Sequence, residues 1–161
     1  MAIDTFLKIK GPDVVGESQV KGHEKDIQVL AWSWGLSQTG TTHHGSGGGA
    51  GKVNVQDLSF THYVDSSTPT LVLACCKGTH YDEATLTMRK AGGDPLPYLT
   101  ITLKDIIVTS VSGGGSGGED QQTENVTLNF ASFTLSYQPQ DNKGAKKGGA
   151  IEIKYDIAKN A

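Results

Sequence analysis

Apolar and polar residues alternate along most of this chain with a period of two, the spacing of half-buried strands. Ile3, Leu7 and Ile9 share one side of an extended segment, so residues 2–10 are predicted to form a strand. Over residues 25–36 two sets interleave, with Leu30, Trp32, Trp34 and Leu36 on one face and Ile27, Val29, Ala31 and Ser33 on the other. Both faces are partly apolar, which predicts a strand covered on both sides. Residues 52–64, 79–90, 97–111, 122–138 and 150–158 read similarly, for a set of about seven strands.

Several of these segments change phase partway. The apolar run Val126, Leu128, Phe130 resumes as Phe133, Leu135, Tyr137, a slip of one at Ala131–Ser132, and similar slips fall near Lys104–Asp105 and Gln56. A slip of one turns the buried face over unless a bulge restores it. Long strands with bulges and corners curl, so the pattern predicts a mainly β fold, a two-sheet β-barrel, over a flat sandwich. One short flanking helix is predicted over Ser66–Gly78, where hydroxyl residues precede Pro69, Lys77 closes the last turn and Gly78 follows it. At under three turns it needs the barrel to pack on.

Glycine changes the picture of the connections. The chain has 21 glycines among 161 residues, concentrated near 40–51, 113–118 and 143–149. The pieces between them are too short to fold alone, so these are expected to be loops within a single domain spanning 1–161. At 36% apolar and 19% charged residues, with a mean hydropathy of −0.31, the composition is that of a globular domain. No apolar run approaches the ~18 residues of a membrane span. The start, Met1 to Lys8, lacks the basic flank, apolar stretch and cleavage-like site of a secretory signal, so any export is expected to bypass the general secretory route. Net charge is −3 and Arg89 is the only arginine, which argues against nucleic acid; Lys143, Lys146 and Lys147 read as a solvated loop. Cys75 and Cys76 are adjacent and have no other partner, so no structural disulfide and a reducing compartment are expected. They read as small residues of one packed face and its border.

Candidate chemistry fails on inspection. Gly45 to Lys52 resembles a phosphate loop, but Ser46 stands where glycine is required, Val53 follows the lysine, and a strand follows in place of a helix. Gly113-x-Gly115-x-x-Gly118 matches a dinucleotide fingerprint in letters only, since Glu119 and Asp120 follow and lead into a strand. Gly114–Gly118 spells a nucleophile elbow with no histidine after its serine. His23, His43, His44, His62 and His80 lack ligand spacing, and the carboxylates are scattered singly. No catalytic site, metal or cofactor is expected. Long, partly apolar strands without an active site point to self-association instead.

Several segments carry a family resemblance: Met1–Ile9; Val29–Gly35 (Val-Leu-Ala-Trp-Ser-Trp-Gly); Gly47–Phe60, running Gly-Gly-Gly-Ala-Gly-Lys-Val-Asn-Val-Gln-Asp-Leu-Ser-Phe; Ser67-Thr68-Pro69; Leu86–Gly93; and Gly117–Asp120 leading to Thr123–Phe130. In order and wording they resemble the haemolysin-coregulated protein (Hcp) family, from residue 1 to about 140, with the residues after Lys143 matching least. The resemblance implies a hexameric ring that stacks into the inner tube of the type VI secretion system. Its partners would be further copies of itself, the sheath, spike and baseplate components, and effectors carried in the lumen. It implies a protein of a Gram-negative bacterium, cytoplasmic before firing and then released to the extracellular space or a target cell, acting as a structural and carrier component and not as an enzyme. The loop 40–53, with His43, His44, Gly47, Gly48, Gly49 and Lys52, would be the ring-to-ring contact. Ser33 would look into the lumen if the tryptophans fill the core, or would sit at the subunit seam. A phage-type tail tube protein shares the expected architecture; a monomeric ligand-binding or enzymatic β-barrel is the remaining reading.

Overall fold

A computed structural model describes residues 2–40, 51–92 and 94–161. The strands are β1 (Ile3–Lys10), β2 (Ile27–Ser33), β3 (Leu36–Ser37), β4 (Asn54–Val55), β5 (Leu58–Tyr63), β6 (His80–Lys90), β7 (Pro97–Gly114), β8 (Thr123–Tyr137) and β9 (Ile151–Asp156); helix α1 spans Ser67–Lys77. All pairings are antiparallel, in the order β5-β2-β1-β6-β7-β8-β9, and β5 also pairs with the first half of β8. That last pairing closes six strands into a barrel, with β9 added outside along the second half of β8. The predicted mainly β barrel with one flanking helix is the fold observed.

The core follows from the alternation. Leu7, Ile9, Ile27, Leu58, Phe60, Leu86, Ile101, Leu103, Ile106 and Leu128 are almost wholly buried. Over most of β2 and β5–β8 every second residue contributes, and the cross-strand partners Leu58 and Leu128 meet where the barrel closes. Phe6 is buried on the other side of β1, because residues 11–26 fold back over that face. There its ring stacks on His23 at 4.3 Å, with the Arg89 guanidinium 5.3 Å from its centroid. The fold-back needs close approach at Gly16, where a Cβ would lie 2.5 Å from the Asp26 carbonyl oxygen.

Four expectations are corrected. Leu30, placed with the tryptophans, is the extra residue of a bulge between Val29 and Ala31 and is 49% exposed. Leu36 is likewise exposed, on the short ribbon β3–β4 that replaces the far end of the long predicted strand. Ile3 is exposed because β1 and β2 are in register only at Phe6–Gln28 and Leu7–Ile27 and splay apart beyond. The helix cap is a carboxylate and not a hydroxyl: the Ser67 N–H donates to Asp65 Oδ1 at 2.8 Å, while the Ser66 hydroxyl turns away to the Val15 carbonyl. At the other end Gly78 takes the expected left-handed conformation, φ 64°. Ser67, Leu71 and Ala74 form the buried stripe of α1, which packs on β7; Cys75 is half-buried, Cys76 is exposed, and both are free.

The phase slips are real, but two arise together. Buried residues jump from Leu103 to Ile106 in β7 and from Phe130 to Phe133 in β8, directly across from each other, and the register is unchanged through the jump. Asp105 is left-handed there, φ 55°, so both strands turn over at one level without an inserted residue. The inserted residue comes later, at Thr109. The third slip, at Gln56, is the break between β4 and β5.

Candidate assembly surface

Cross-strand partners share a face, so the registers can be read as rows. Ser33, Ser59, Thr127 and Ser110 form one row across β2, β5, β8 and β7, and Ala31, Thr61, Asn125 and Ser112 form the next. All eight are exposed or half-buried, on the side away from the core. Between them the row Trp32, Phe60, Val126 and Val111 points inward. Trp32 and Trp34 pack against the core; Trp34 meets Phe133 edge-on at 4.9 Å, and its indole N–H donates to the Gln56 carbonyl at 2.9 Å. The tryptophans therefore take the inner side and Ser33 the outer one.

This outer face carries hydroxyls and an amide and no charge in its two rows. The Thr127 hydroxyl lies 2.7 Å from that of Ser110 and 2.6 Å from that of Thr109, and the Thr61 hydroxyl donates to the Asn125 amide oxygen. Asp57, at the margin, is spoken for: Thr109 and Asn129 donate to its two oxygens at 2.8 and 2.9 Å.

The same sheet is open at both edges. β2 pairs with β5 as far as Ser33 but with β1 only at Ile27 and Gln28. β7 pairs with β8 to Gly114 but with β6 only as far as Ile107. Residues 29–33 and 108–114 thus each present an edge with no strand partner among the described residues. Beside the first lies a groove of mixed lining, in which the exposed apolar side chains Ile3, Leu30 and Tyr63 stand among Asp4, Thr5 and Gln28. Further exposed apolar side chains lie elsewhere, on β9, where Ile151 and Ile153 are 63% and 54% exposed and Tyr137 pairs with Ile151.

Of the loop expected to join rings, His43, His44, Gly47, Gly48 and Gly49 lie outside the described residues; Lys52 is exposed. That loop leaves from the β3–β4 ribbon, whose base is tied by the Gln56 N–H to the Gly35 carbonyl at 3.0 Å. The structure separates Ser33 from Lys52 by placing one on the wall of the sheet and the other beyond the ribbon. Sequence reading missed the rest of Ser33's row, because Ser59, Thr127 and Ser110 become neighbours only through the register. Among the described residues no three His, Cys, Asp or Glu side chains are grouped to hold a metal ion, and no helix is long and apolar enough to cross a membrane.

A barrel whose wall is a four-stranded sheet open at both edges, with exposed apolar side chains on β1/β2 and on β9, is a subunit shaped for assembly. Comparisons agree with that class and narrow it. The family model described as "Type VI secretion system effector, Hcp" matches residues 6–137. The protein Hcp1 of Pseudomonas aeruginosa is 60% identical over 161 residues, covering 99% of this chain and 98% of its own. The crystal structure of Hcp1 from Salmonella typhimurium is similar at a TM-score of 0.81 and 42% identity, covering 99% of this chain and 98% of that one. A further solved structure, of a type six secretion system protein, superposes at a TM-score of 0.92 with 28% identity and 99% coverage of both. The chain belongs to the haemolysin-coregulated protein family of type VI secretion proteins. Its fold and relatives are those of a structural tube subunit.

Proposed function

We propose that this chain closes head to tail into hexameric rings, that the rings stack into the type VI secretion tube, and that the hydroxyl face of β2–β5–β8–β7 lines the bore. The carrying observation is the sheet with two open edges and one uncharged polar face. A ring needs two different complementary surfaces on each copy. The free edge at 29–33 and the free edge at 108–114 supply main-chain donors and acceptors for such a joint, and the two sets of exposed apolar side chains supply area to bury.

Ser33 then faces the lumen, where a wall of small neutral hydroxyls offers hydrogen bonds to many effector surfaces and repels neither sign of charge. The loop 40–53, His43, His44, Gly47, Gly48, Gly49 and Lys52 included, is assigned to ring stacking, and sheath, spike and baseplate components meet the assembled tube. The role is structural and carrying, with no chemistry of its own. The protein waits in the cytoplasm of a Gram-negative cell and leaves with the tube.

Electron microscopy of the purified protein tests the ring: annular particles of six 17.0 kDa subunits with a central hole are expected. A protein that stays single at high concentration overturns the proposal. Ser33→Gln is expected to weaken effector retention while rings persist in size-exclusion chromatography; loss of the rings would place Ser33 at the seam.

A further inference from the structure

At the end of the hydroxyl wall the registers bring together a buried polar cluster. Val29, His62, Glu124 and Gly113 are cross-strand partners, on the inner side of the sheet. His62 has no exposed surface and Glu124 is 4% exposed. His62 Nε2 lies 2.7 Å from Glu124 Oε1. Nδ1 faces Asp65 Oδ2 at 3.8 Å, too far for a hydrogen bond, and is buried without any hydrogen-bond partner. Both carboxylates also hold the first turn of α1: the Thr68 hydroxyl donates to Glu124 at 2.8 Å, and the Ser67 N–H and hydroxyl both donate to Asp65.

The charged groups around the ring are few. β8 contributes Glu124 and the turn before α1 contributes Asp65; the first turn of α1 carries no acidic residue. β5 contributes the Phe60 ring at 5.6 Å and β2 the apolar Val29. Glu17 lines the open cleft that Asp65 borders.

This arrangement selects a protonation state. A neutral imidazole has one N–H. Placed on Nε2 it leaves an Nδ1 lone pair buried against Asp65, and placed on Nδ1 it leaves a lone pair 2.7 Å from a Glu124 oxygen. Only the imidazolium turns an N–H to each carboxylate. Burial pushes His62 down, but Asp65 and then Glu124 outweigh it, and the group sits above its ordinary value. Asp65 sits below its own, against the effect of burial, through His62 and Ser67.

We propose that His62 is an imidazolium lock fastening β5 and β8 to the first turn of α1, and that alkalinisation opens it. A histidine raised by folding stabilises fully below its unfolded value of about 6.5, and the contribution is lost as pH rises through the folded one. Asp65, lowered by folding, contributes above about 3.8 and fails only in stronger acid. The lock is therefore shut in mildly acidic solution, below the unfolded value of about 6.5, and opens as pH rises above it. It belongs to the single chain and stands whether or not rings form.

Hydrogen exchange of the full-length protein between pH 6 and 9, corrected for intrinsic exchange and run at one protein concentration, tests it. Protection of residues 62–72 is expected to fall with rising pH, by at most about tenfold per pH unit for one linked proton. In His62→Gln protection should be low and flat with pH; in His62→Lys, which keeps the cation, it should be high and flat. A wild-type profile as flat as that of His62→Gln, or a His62→Gln profile as steep as wild type, overturns the proposal. Should His62→Gln fail to fold, Glu124→Gln decides: the fall must move to lower pH, and an unmoved fall also overturns it.

Discussion

Strands β7 and β8 run through two halves of the barrel wall that dress their outer faces differently. In the half made with β1, β6 and β9, one row reads Lys10, Glu83, Lys104, Ser132 and Asp156, and the next Lys8, Thr85, Thr102, Thr134 and Lys154. In the half made with β2 and β5, the outward rows are Ser33, Ser59, Thr127, Ser110 and Ala31, Thr61, Asn125, Ser112. The boundary is the level where Asp105 faces Ala131 and both strands turn over. Charge on the first half suits water, because a solvated lysine or glutamate costs nothing to leave exposed. Neutral hydroxyls on the second half, beside unpaired edges, suit a surface that will be enclosed without burying charge.

If the two halves share one core, breaking it should hurt both. Leu128→Ala, at the β5–β8 closure and wholly buried, should cost about 3 kcal/mol in chemical denaturation. Exchange protection should drop on β7 throughout its length; protection lost only in the hydroxyl half would mean that the two halves of the wall fold separately. A second substitution separates assembly from folding. Leu30 sits half exposed on its bulge, beside the free edge of β2. Leu30→Asp should leave the single chain's melting temperature within a few degrees yet weaken ring formation at least about tenfold, since a charge is forced into the joint. Rings of unchanged stability in analytical ultracentrifugation would remove the β2 edge from the interface.

The boundary itself is testable. Asp105 holds a left-handed backbone that aspartate tolerates and β-branched residues do not. Asp105→Val should cost about 1–2 kcal/mol, and Asp105→Asn almost nothing, by equilibrium unfolding. Equal effects of both would shift the cause from the backbone to the carboxylate.

What alternation could reveal in β5 and β8, it did: Leu58, Phe60, Val126 and Leu128 occupy the core positions their spacing implies, whereas Ile27 and Val29, read as sharing a face with Ser33, lie inward with the tryptophans because the bulge at Leu30 turns the strand over. Its failures are local. Leu30 obeys the same spacing as Trp32, and only the register shows that one residue is inserted before Ala31. Phe6 and Leu7 are adjacent and both buried, a pattern that makes sense only once residues 11–26 are seen to cover the second face. The slips at Asp105 and Ala131 were visible separately, but nothing in one dimension says that they face each other. Ser33 could be assigned a face from Trp32 and Trp34, whereas its row-mates and the His62–Glu124 pair are brought together by pairing between strands distant in sequence, where no spacing rule reaches.

The smallest effect is expected on the charged half, and it sharpens the contrast by its size. Glu83 receives Lys10 Nζ at 2.7 Å and Lys104 Nζ at 2.9 Å, one from each neighbouring strand. Hydrogen bonds from Lys10 and then Lys104 hold its carboxyl below the ordinary glutamate value. Both lysines are about half exposed, so water and salt screen the triad and its worth is small. Glu83→Gln should lower the melting temperature by only about 1–2 °C at neutral pH. A carboxylate lowered by folding contributes above its unfolded value and loses that contribution as pH falls through the folded one. The difference between variant and wild type should therefore fade as pH falls below about 4.5 and shrink in molar salt at pH 7. A loss comparable to that of Leu128→Ala, or one indifferent to salt, would mean that the charged rows bear on stability as the core does, and the division of labour between the two outer faces would have to be redrawn.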